Sequence, residues 1–297
     1  MLAVFGSVSL DTIRTPGRVN AGILGGSAAY AAVAASRFAK TGLLGVTGSD
    51  FPARYERELA RHVDLGGVER REGRTFRYDA EYDRHLESRT TRSVELGVNS
   101  GRRVRVPEGY RRSRFVYLAT NDPAHNIGVL GDFDSPRLSM CDTIDHWIRT
   151  RRADVVRMVR RTDAVVINAE EARLLTREHD LIRCAKKMAS WGATYVIIKK
   201  DAHGALLYHG GEVYPYPAFP TGRVVDPTGA GDSFAGAVMG YLASRGSTGL
   251  AAMRRAVAYG NVVGSITVEA RGLRSLSGLA RRDIEARMRR YERLTRF

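Results

Sequence analysis

Short apolar runs alternate with amphipathic stretches along most of the chain, an order that predicts a parallel sheet covered by helices. Strands are expected at residues 2–5 and 43–46, with a helix of small residues at 25–37 between them. Further strands are predicted at 115–118, 138–141, 164–167 and 195–198, followed by a hairpin (205–208 and 213–216) and three helices. The predicted fold class is α/β, with three α/β/α layers.

One region breaks this alternation. Residues 68–106 contain no good helix, but RTFRYDAEYD and SRTTRSVELGV alternate polar with β-forming residues, as half-buried strands do. We predict an antiparallel flap, called the lid, formed by residues 11–24 and 68–106; an ordinary edge sheet is the alternative. No internal repeat or low-complexity linker divides the sequence, so residues 1–297 are expected to form a single domain that carries this lid.

Composition narrows the class of protein. Hydrophobic residues make up 43% of the 297 residues and charged residues 27%, as in ordinary globular chains. The 47 Lys and Arg outnumber the 32 Asp and Glu, which gives a net charge of +15, but only five are lysine and the arginines are spread evenly. Nucleic-acid binding usually concentrates such charge on one face or tail, so a basic nucleic-acid-binding protein is the weaker alternative.

The location expected from the sequence is the cytoplasm. Two cysteines, Cys141 and Cys184, cannot form a disulfide framework or a four-thiolate metal site, which favours a reducing compartment. The first ten residues lack a basic leader and a cleavage site, and the weakly polar stretch 21–35 is too short to span a bilayer.

The most informative segment is VVDPTGAGDSFAGAVMGYLA, residues 224–243, in which small residues lead from a strand end into a helix. Consecutive backbone N–H groups and the helix dipole favour an anion at such a helix start. Asp232 in its first turn would repel a phosphate unless it acts as a general base. Local physics alone leaves open whether Asp232 is that base or merely caps the helix.

The sequence DPTGAGDSF, residues 226–234, resembles the C-terminal signature of the ribokinase-like (PfkB) family of ATP-dependent sugar and nucleoside kinases. Four other segments resemble family motifs in the family's order: GSVSLD from residue 6, GGSAAYAAVAASRF from residue 25, NAEE from residue 168 and IIKKDAHGALL from residue 197. The lid lies where the family inserts its own. Five motifs in order are far more specific than a lone Gly-x-Gly.

This resemblance implies roles for individual residues. Asp232 corresponds to the catalytic base, with Gly229, Ala230 and Gly231 as the anion hole that holds the transferring phosphoryl group. Asp11, Gly25, Gly26 and Tyr30 would border the acceptor. The expected nucleotide-binding residues are Asn168, Lys199, Gly204, Thr228, Asn261 and Gly272. Glu171 would organise magnesium, although without the family pattern Asn168 and Glu171 would be read as a helix cap and a solvated helix residue.

The resemblance therefore predicts a kinase that transfers the γ-phosphoryl group of ATP to a hydroxyl of a small molecule. ATP and Mg²⁺ are the expected cofactors, with a monovalent cation as an additional candidate. No membrane partner is expected, and pairing of two copies through their lids would give a homodimer.

The acceptor is the open question. Tyr30 stands where many family members have an asparagine that contacts a substrate hydroxyl, and Asp201 stands where a glycine is common. Asp11 suits two neighbouring hydroxyls, so we rank a neutral sugar or polyol ahead of a nucleoside. A nucleoside would need aromatic lid residues such as Phe76, Tyr78 and Tyr82, and an arginine-rich lid would suit a sugar phosphate, which ranks third.

Two other enzyme classes are disfavoured. A dinucleotide oxidoreductase needs Gly-x-Gly-x-x-Gly after an early strand, whereas the first strand here continues into GSVSLD. A P-loop enzyme needs a Gly-Lys pair, which the sequence does not contain.

Overall fold

The computed structural model describes residues 1–86 and 89–296. The strands in these residues are β1 (Leu2–Phe5), β2 (Ser9–Thr15), β3 (Arg18–Gly25), β4 (Thr41–Gly48), β5 (Asp64–Arg71), β6 (Arg77–Tyr82), β7 (Arg89–Glu95), β8 (Phe115–Leu118), β9 (Leu138–Cys141), β10 (Ala164–Asn168), β11 (Tyr195–Lys199), β12 (Ala205–His209) and β13 (Glu212–Tyr216). The α-helices are α1 (Ser27–Ser36), α2 (Ala53–Ala60), α3 (Glu108–Arg111), α4 (Pro123–Leu130), α5 (Asp145–Arg161), α6 (Ala169–Thr176), α7 (Leu181–Ser190), α8 (Ala230–Arg245), α9 (Leu250–Thr267), α10 (Arg274–Ser277) and α11 (Arg281–Leu294).

The main sheet has nine strands in the order β13-β12-β11-β10-β9-β8-β1-β4-β5. From β11 to β5 neighbouring strands run parallel, and β12 and β13 add an antiparallel hairpin at one edge. This arrangement confirms the predicted α/β class and each of the strands expected from the alternating pattern.

Helices cover both faces of the main sheet, because successive side chains of a strand point to opposite sides. Leu2 and Val4 of β1 belong to the core shared with α1, α8, α9 and α11. Ala3 and Phe5 belong to a second core shared with α4, α5, α6 and α7. The result is a three-layer α/β/α structure with a core on each side of the sheet.

Close packing of α1 against α8 fixes the start of α8. A Cβ at Gly236 would lie 2.1 Å from the carbonyl oxygen of Ala31, and one at Gly240 would lie 2.7 Å from that of Ala35. Only glycine permits these approaches, because real Cβ atoms do not come within 3 Å of backbone. The small residues of both helices therefore bring the first turn of α8 close to the residues that precede α1.

A second sheet of four strands, in the order β3-β2-β6-β7, takes two strands from each of the two segments predicted as the lid. The predicted second segment, 68–106, was too long at both ends. β5 pairs in parallel with β4, so residues 68–71 belong to the main sheet, while Gly97–Ser100 forms a 3₁₀ turn. A half-exposed edge strand and a lid strand share the same polar alternation, which is why the sequence pattern did not separate them.

The C-terminal part also differs from the expectation. Four helices follow the hairpin where three were predicted, because α10 is a single short turn between α9 and α11. No helix in the two described stretches is both long enough and apolar enough to cross a bilayer.

Candidate active site

The start of α8 presents unpaired backbone donors. Gly229 precedes the helix with φ 77°, a conformation that favours glycine, and Asp226 Oδ1 accepts a hydrogen bond of 2.9 Å from the N–H of Thr228. The backbone N–H groups of Gly231 and Asp232 have no acceptor within residues 1–86 and 89–296. Free donors at the positive end of a 16-residue helix suit an anionic group, as the motif predicts.

Asp232 lies in the first turn of this helix, half-buried. Burial, together with the charge of Asp142, raises the pKa of its carboxyl group to about 6 although Lys199 and Arg89 act in the opposite direction. Such a carboxyl is still ionised at neutral pH but binds a proton more readily than an exposed aspartate. This environment is suitable for a general base.

Lys199, at the end of β11, lies between several carboxylates. Its Nζ donates a 2.8 Å hydrogen bond to Asp142 Oδ2, and it is 3.2 Å from the position that a Cβ of Gly231 would occupy. Burial lowers the pKa of Lys199, but Asp142, Glu171 and Asp232 outweigh this and raise it. The ammonium group therefore stays charged beside the start of α8.

Asp142, which the sequence analysis missed, holds this lysine in place. It follows β9 directly and is almost fully buried; besides Lys199 it accepts hydrogen bonds from the Tyr117 hydroxyl (3.3 Å) and the Thr143 N–H (2.8 Å). The available sequence signal was a carboxylate immediately after a buried strand, at the edge of the sheet where parallel strands end.

Asn168 and Glu171 form a capping box at the start of α6. Asn168 Oδ1 accepts a 2.8 Å hydrogen bond from the N–H of Glu171, and Glu171 Oε2 accepts one of 3.1 Å from the N–H of Asn168. Burial, reinforced by the charge of Asp142, raises the pKa of Glu171 to about 8 although Lys199 and Arg89 oppose this. Asn168 is therefore a helix cap, as expected without the family pattern, but Glu171 is buried and is not a solvated residue. Asp142, Glu171 and Asp232, the carboxylates that act on Lys199, are called the acidic centre below.

Asp11, on β2, is buried on the other side of the site. Its Oδ1 accepts a 2.6 Å hydrogen bond from Ser9, and burial raises the pKa of its carboxyl group to about 7, with the charge of Asp232 adding to the shift. A Cβ at Gly25 would lie 1.9 Å from Asp11 Oδ2, and Gly26 adopts φ 100° against the carbonyl of Ser7. The Gly25-Gly26 pair therefore makes room for the Asp11 carboxylate.

Tyr30 lies deeper than the resemblance suggests. Only 2% of its surface is exposed, and a Cβ at Gly229 would lie 2.3 Å from its ring. Burial raises the pKa of Tyr30, and the charges of Asp11, Asp226 and Asp232 add to this shift. The ring of Tyr30 thus packs under residues 226–229, the segment before α8 that is called the anion-binding loop below. Its main role is packing.

The lid contacts the same loop. The Thr228 hydroxyl donates a 3.3 Å hydrogen bond to the Tyr82 hydroxyl of β6. Arg89, at the start of β7, lies with its guanidinium 5.7 Å from the centre of the Tyr78 ring. The charge of Arg89 acts on Asp232 and Glu171, whereas Tyr82 interacts electrostatically with Asp226 and Tyr30. The sequence analysis considered the arginines of the lid only as a group that would suit a sugar phosphate.

The other residues that the resemblance assigned to nucleotide binding lie on turns or in α9. Gly204 adopts φ 89° beside the carbonyl of Tyr216, and Asp201 adopts φ 49°, which explains why a glycine suits that position. Asn261 Nδ2 donates a 3.3 Å hydrogen bond to the hydroxyl of Tyr291 on α11, and Gly272 adopts φ 57° in an open turn. Asp201, Gly204 and Gly272 shape turns, whereas Asn261 lies within α9.

Comparison with known proteins decides the family. A family model for pfkB family carbohydrate kinases matches residues 138–278. The chain is also 32% identical over 253 residues to a cytidine kinase of Thermococcus kodakarensis, covering 82% of this chain and 89% of that protein. The chain belongs to the pfkB family.

Solved structures of this kinase family share the fold. The nucleoside kinase of Methanocaldococcus jannaschii, an archaeal member of the ribokinase family, aligns with a TM-score of 0.77 at 19% identity, over 97% of this chain and 98% of that one. The fructokinase of Vibrio cholerae, in its fructose-, ADP- and calcium-bound form, aligns with a TM-score of 0.79 at 20% identity, over 97% and 98%. As a member of the pfkB family, this chain is a phosphotransferase that uses a hydroxyl acceptor.

Proposed function

We propose that this pfkB kinase phosphorylates a ribonucleoside, with cytidine as the first candidate, using MgATP. The observation that carries the choice of acceptor is the 32% identity to a cytidine kinase over most of both chains. The lid supports it, because Tyr78 and Tyr82 offer aromatic surface beside the anion-binding loop, where a base can be enclosed. This choice favours the alternative in the sequence analysis over the neutral sugar or polyol that was ranked first.

Asp11 would bind the ribose. An ionised carboxylate can accept hydrogen bonds from two neighbouring hydroxyls, and Asp11 is buried next to the two glycines that leave it room. The charge of Asp232 contributes to the raised pKa of Asp11, which supports a position of both carboxylates at one site. A sugar bound to Asp11 can therefore present another hydroxyl to Asp232.

Asp232 would act as the general base. As the acceptor oxygen forms its bond to the γ-phosphorus, the bond between that phosphorus and the oxygen bridging to the β-phosphate breaks, and the hydroxyl proton passes to Asp232. The products are the phosphorylated acceptor and ADP. The free N–H groups of Gly231 and Asp232 would stabilise the charge on the phosphoryl oxygens during transfer.

Magnesium fits the carboxylates on the nucleotide side. Asp142 and Glu171 are both buried, and together with Asp232 they place three carboxylates around the single ammonium of Lys199. Burial is the main cause of the raised pKa of Glu171 and the charge of Asp142 adds to it; a divalent cation beside Glu171 would favour its ionised form. Glu171 and Asp142 would hold Mg²⁺ through its waters while Lys199 and the Asn168 region face the phosphates. Bound Mg²⁺ would shield the phosphate charge during transfer.

A monovalent cation also has a suitable ligand. Asp226 is 1% exposed, and its Oδ2 is buried without a hydrogen-bond partner among the described residues, whereas its Oδ1 caps the turn at Thr228. A buried carboxylate oxygen with no donor is costly unless a cation compensates it. Asp226 would therefore be the residue that holds such a cation beside the anion-binding loop.

The acceptor is tested by following ADP release with MgATP and a panel of cytidine, uridine, adenosine, inosine, ribose, fructose and inositol. We expect cytidine to give the highest kcat/KM, with a KM in the micromolar range that is usual for physiological substrates. A clear preference for ribose, fructose or inositol would replace the nucleoside by a free sugar or polyol and leave the family assignment unchanged.

A further inference from the structure

The side chains of Tyr78, Tyr82 and Arg89 lie on one face of the lid sheet. Tyr82 and Arg89 are direct partners in the β6–β7 pairing, so their side chains lie on the same side of the lid sheet. The guanidinium of Arg89 also lies 5.7 Å from the ring centre of Tyr78, which places all three on this face. The hydrogen bond between Tyr82 and Thr228 sets the position of this face directly against the anion-binding loop.

Arg89 differs from other arginines of the lid in its partners. Arg14 pairs with Asp79 at 2.9 Å, Arg77 pairs with Asp50 at 2.7 Å, and Arg92 pairs with Glu81. For Arg89, no carboxylate within residues 1–86 and 89–296 lies at ion-pair distance, and its side chain stays exposed to solvent in the cleft. Its charge is therefore available to a ligand.

The charge of Arg89 acts on carboxylates from three separate elements of the core. The pKa values of Glu171 on α6, of Asp232 on α8 and of Asp201 after β11 are all raised, mainly by burial, and the charge of Arg89 opposes each rise. This common influence agrees with the position of the lid face, which the hydrogen bond between Tyr82 and Thr228 holds against the start of α8. The amides of Gly231 and Asp232, which have no acceptor among the described residues, belong to the same first turn of α8 as the Asp232 carboxylate.

We propose that Arg89 binds the transferring γ-phosphoryl group from the lid side, opposite the backbone amides at the start of α8. The inference rests on the proposed phosphoryl-transfer site at Asp232 but not on which acceptor is bound. An arginine presents two parallel N–H donors to phosphate oxygens and keeps its charge at any relevant pH. The lid would thus bring a positive charge to the phosphoryl group as it covers the acceptor.

The step itself is unchanged: the acceptor oxygen gains the phosphorus, ADP leaves, and the proton goes to Asp232. Arg89 adds stabilisation of the equatorial oxygens, whose negative charge moves during transfer. Since the contact requires the γ-phosphate, Arg89 should distinguish ATP from ADP.

The test compares Arg89→Gln and Arg89→Lys with Arg92→Gln, a control on the same strand that pairs with Glu81 instead. Calorimetry in Mg²⁺ gives the affinities for ADP and for the non-hydrolysable imido analogue of ATP, and steady-state assays give kcat and KM. Unfolding temperatures of all variants confirm that they are folded.

We expect Arg89→Gln to bind ADP like the wild type, to bind the ATP analogue about tenfold more weakly, and to lose at least about 10²-fold in kcat. Arg89→Lys should recover part of both losses, and Arg92→Gln should change neither. The inference is overturned if Arg89→Gln keeps the wild-type kcat, weakens ADP and the analogue equally, or changes only the KM of the acceptor. The binding ratio is read without any acceptor, so a wrong choice of nucleoside does not affect it.

Discussion

At the scale of single residues, the two central carboxyl groups are held close to their ionisation point. Burial raises the pKa of Asp11 to about 7 and that of Asp232 to about 6. Asp232 must be ionised to take a proton, and Asp11 must be ionised to accept two hydroxyl hydrogen bonds. Ionisation is thus linked directly to binding and to catalysis at the same site.

The pH profile of kcat/KM for the acceptor follows from these values. At saturating MgATP, kcat/KM should rise with pH between about 5.5 and 7.5 and level off above that, because both groups lose their protons over this range. Asp11→Asn removes one of the two ionisations, so its residual activity should reach its plateau at lower pH. A flat wild-type profile from pH 5.5 to 7.5 would contradict both assignments.

Glu171 should set the magnesium requirement. Glu171→Gln keeps the size of the side chain but removes its charge, so the Mg²⁺ concentration for half-maximal activity should rise by about tenfold or more. The control is Glu170→Gln, because Glu170 is the exposed neighbour on the same helix. An unchanged Mg²⁺ dependence in Glu171→Gln would remove Glu171 from the metal site.

At the scale of elements, the site depends on how closely α1 and the anion-binding loop pack. Gly229→Ala would place a Cβ 2.3 Å from the Tyr30 ring and would put alanine at φ 77°. We expect a loss of about 1–3 kcal/mol in stability together with a large drop in kcat, because Tyr30 or the loop must move. Thermal unfolding and kinetics measure the two effects.

Gly278→Ala is the matched control, since nothing lies within 4 Å of its Cβ position and its φ is −90°. Normal activity in Gly229→Ala would show that the loop tolerates displacement and does not form the anion hole.

The pattern of apolar and turn residues along the sequence predicts a strand or helix well where that pattern is continuous. The buried strands and the glycine-rich start of α8 were all recognisable, because their apolar runs and turn residues are continuous in sequence. Residues 68–71 of β5 were included in the lid because the charged run VERR has no helical pattern, which fits a lid strand and an exposed sheet edge equally well. Which strand it pairs with is decided by tertiary contacts that no local pattern contains.

Site residues within a sequence motif could be predicted, whereas those that depend on tertiary contacts could not. The resemblance led to Asp11, Asp232 and Glu171, since each lies within a recognisable motif. Asp142 was not found because its role depends on Lys199, which is 57 residues away in the chain. The burial of Tyr30 under Gly229 was likewise invisible, because it results from the packing of α1 against the start of α8.

At the scale of the whole molecule, the net charge of +15 contrasts with a buried site rich in carboxylates. Many of the arginines form surface ion pairs, such as Arg255 with Glu292 and Arg281 with Glu285. Such exposed pairs contribute little individually. The buried carboxylates of the site have the larger effect on how stability depends on pH.

The unliganded protein should become less stable as pH rises from about 5 to 8. Asp11, Asp232 and Glu171 have raised pKa values in the folded state, so the folded protein binds more protons than the unfolded chain across this range. His62, whose pKa is lowered mainly by burial, acts in the opposite direction but is one group against three. Unfolding temperatures measured at constant ionic strength test this, and Asp11→Asn should show a shallower decline; a stability that rises with pH would contradict the burial of these carboxyl groups.

The most direct test of the account is the course of phosphoryl transfer in the wild type and in Asp232→Asn, followed by ³¹P NMR with MgATP and cytidine. The wild type should convert the γ-phosphate of ATP into a phosphomonoester signal together with ADP. Asp232→Asn should bind ATP equally well but react about 10² to 10⁴-fold more slowly, a loss of about 3–5 kcal/mol in transition-state stabilisation. A near-normal rate in Asp232→Asn, or no phosphomonoester from the wild type, would contradict the account.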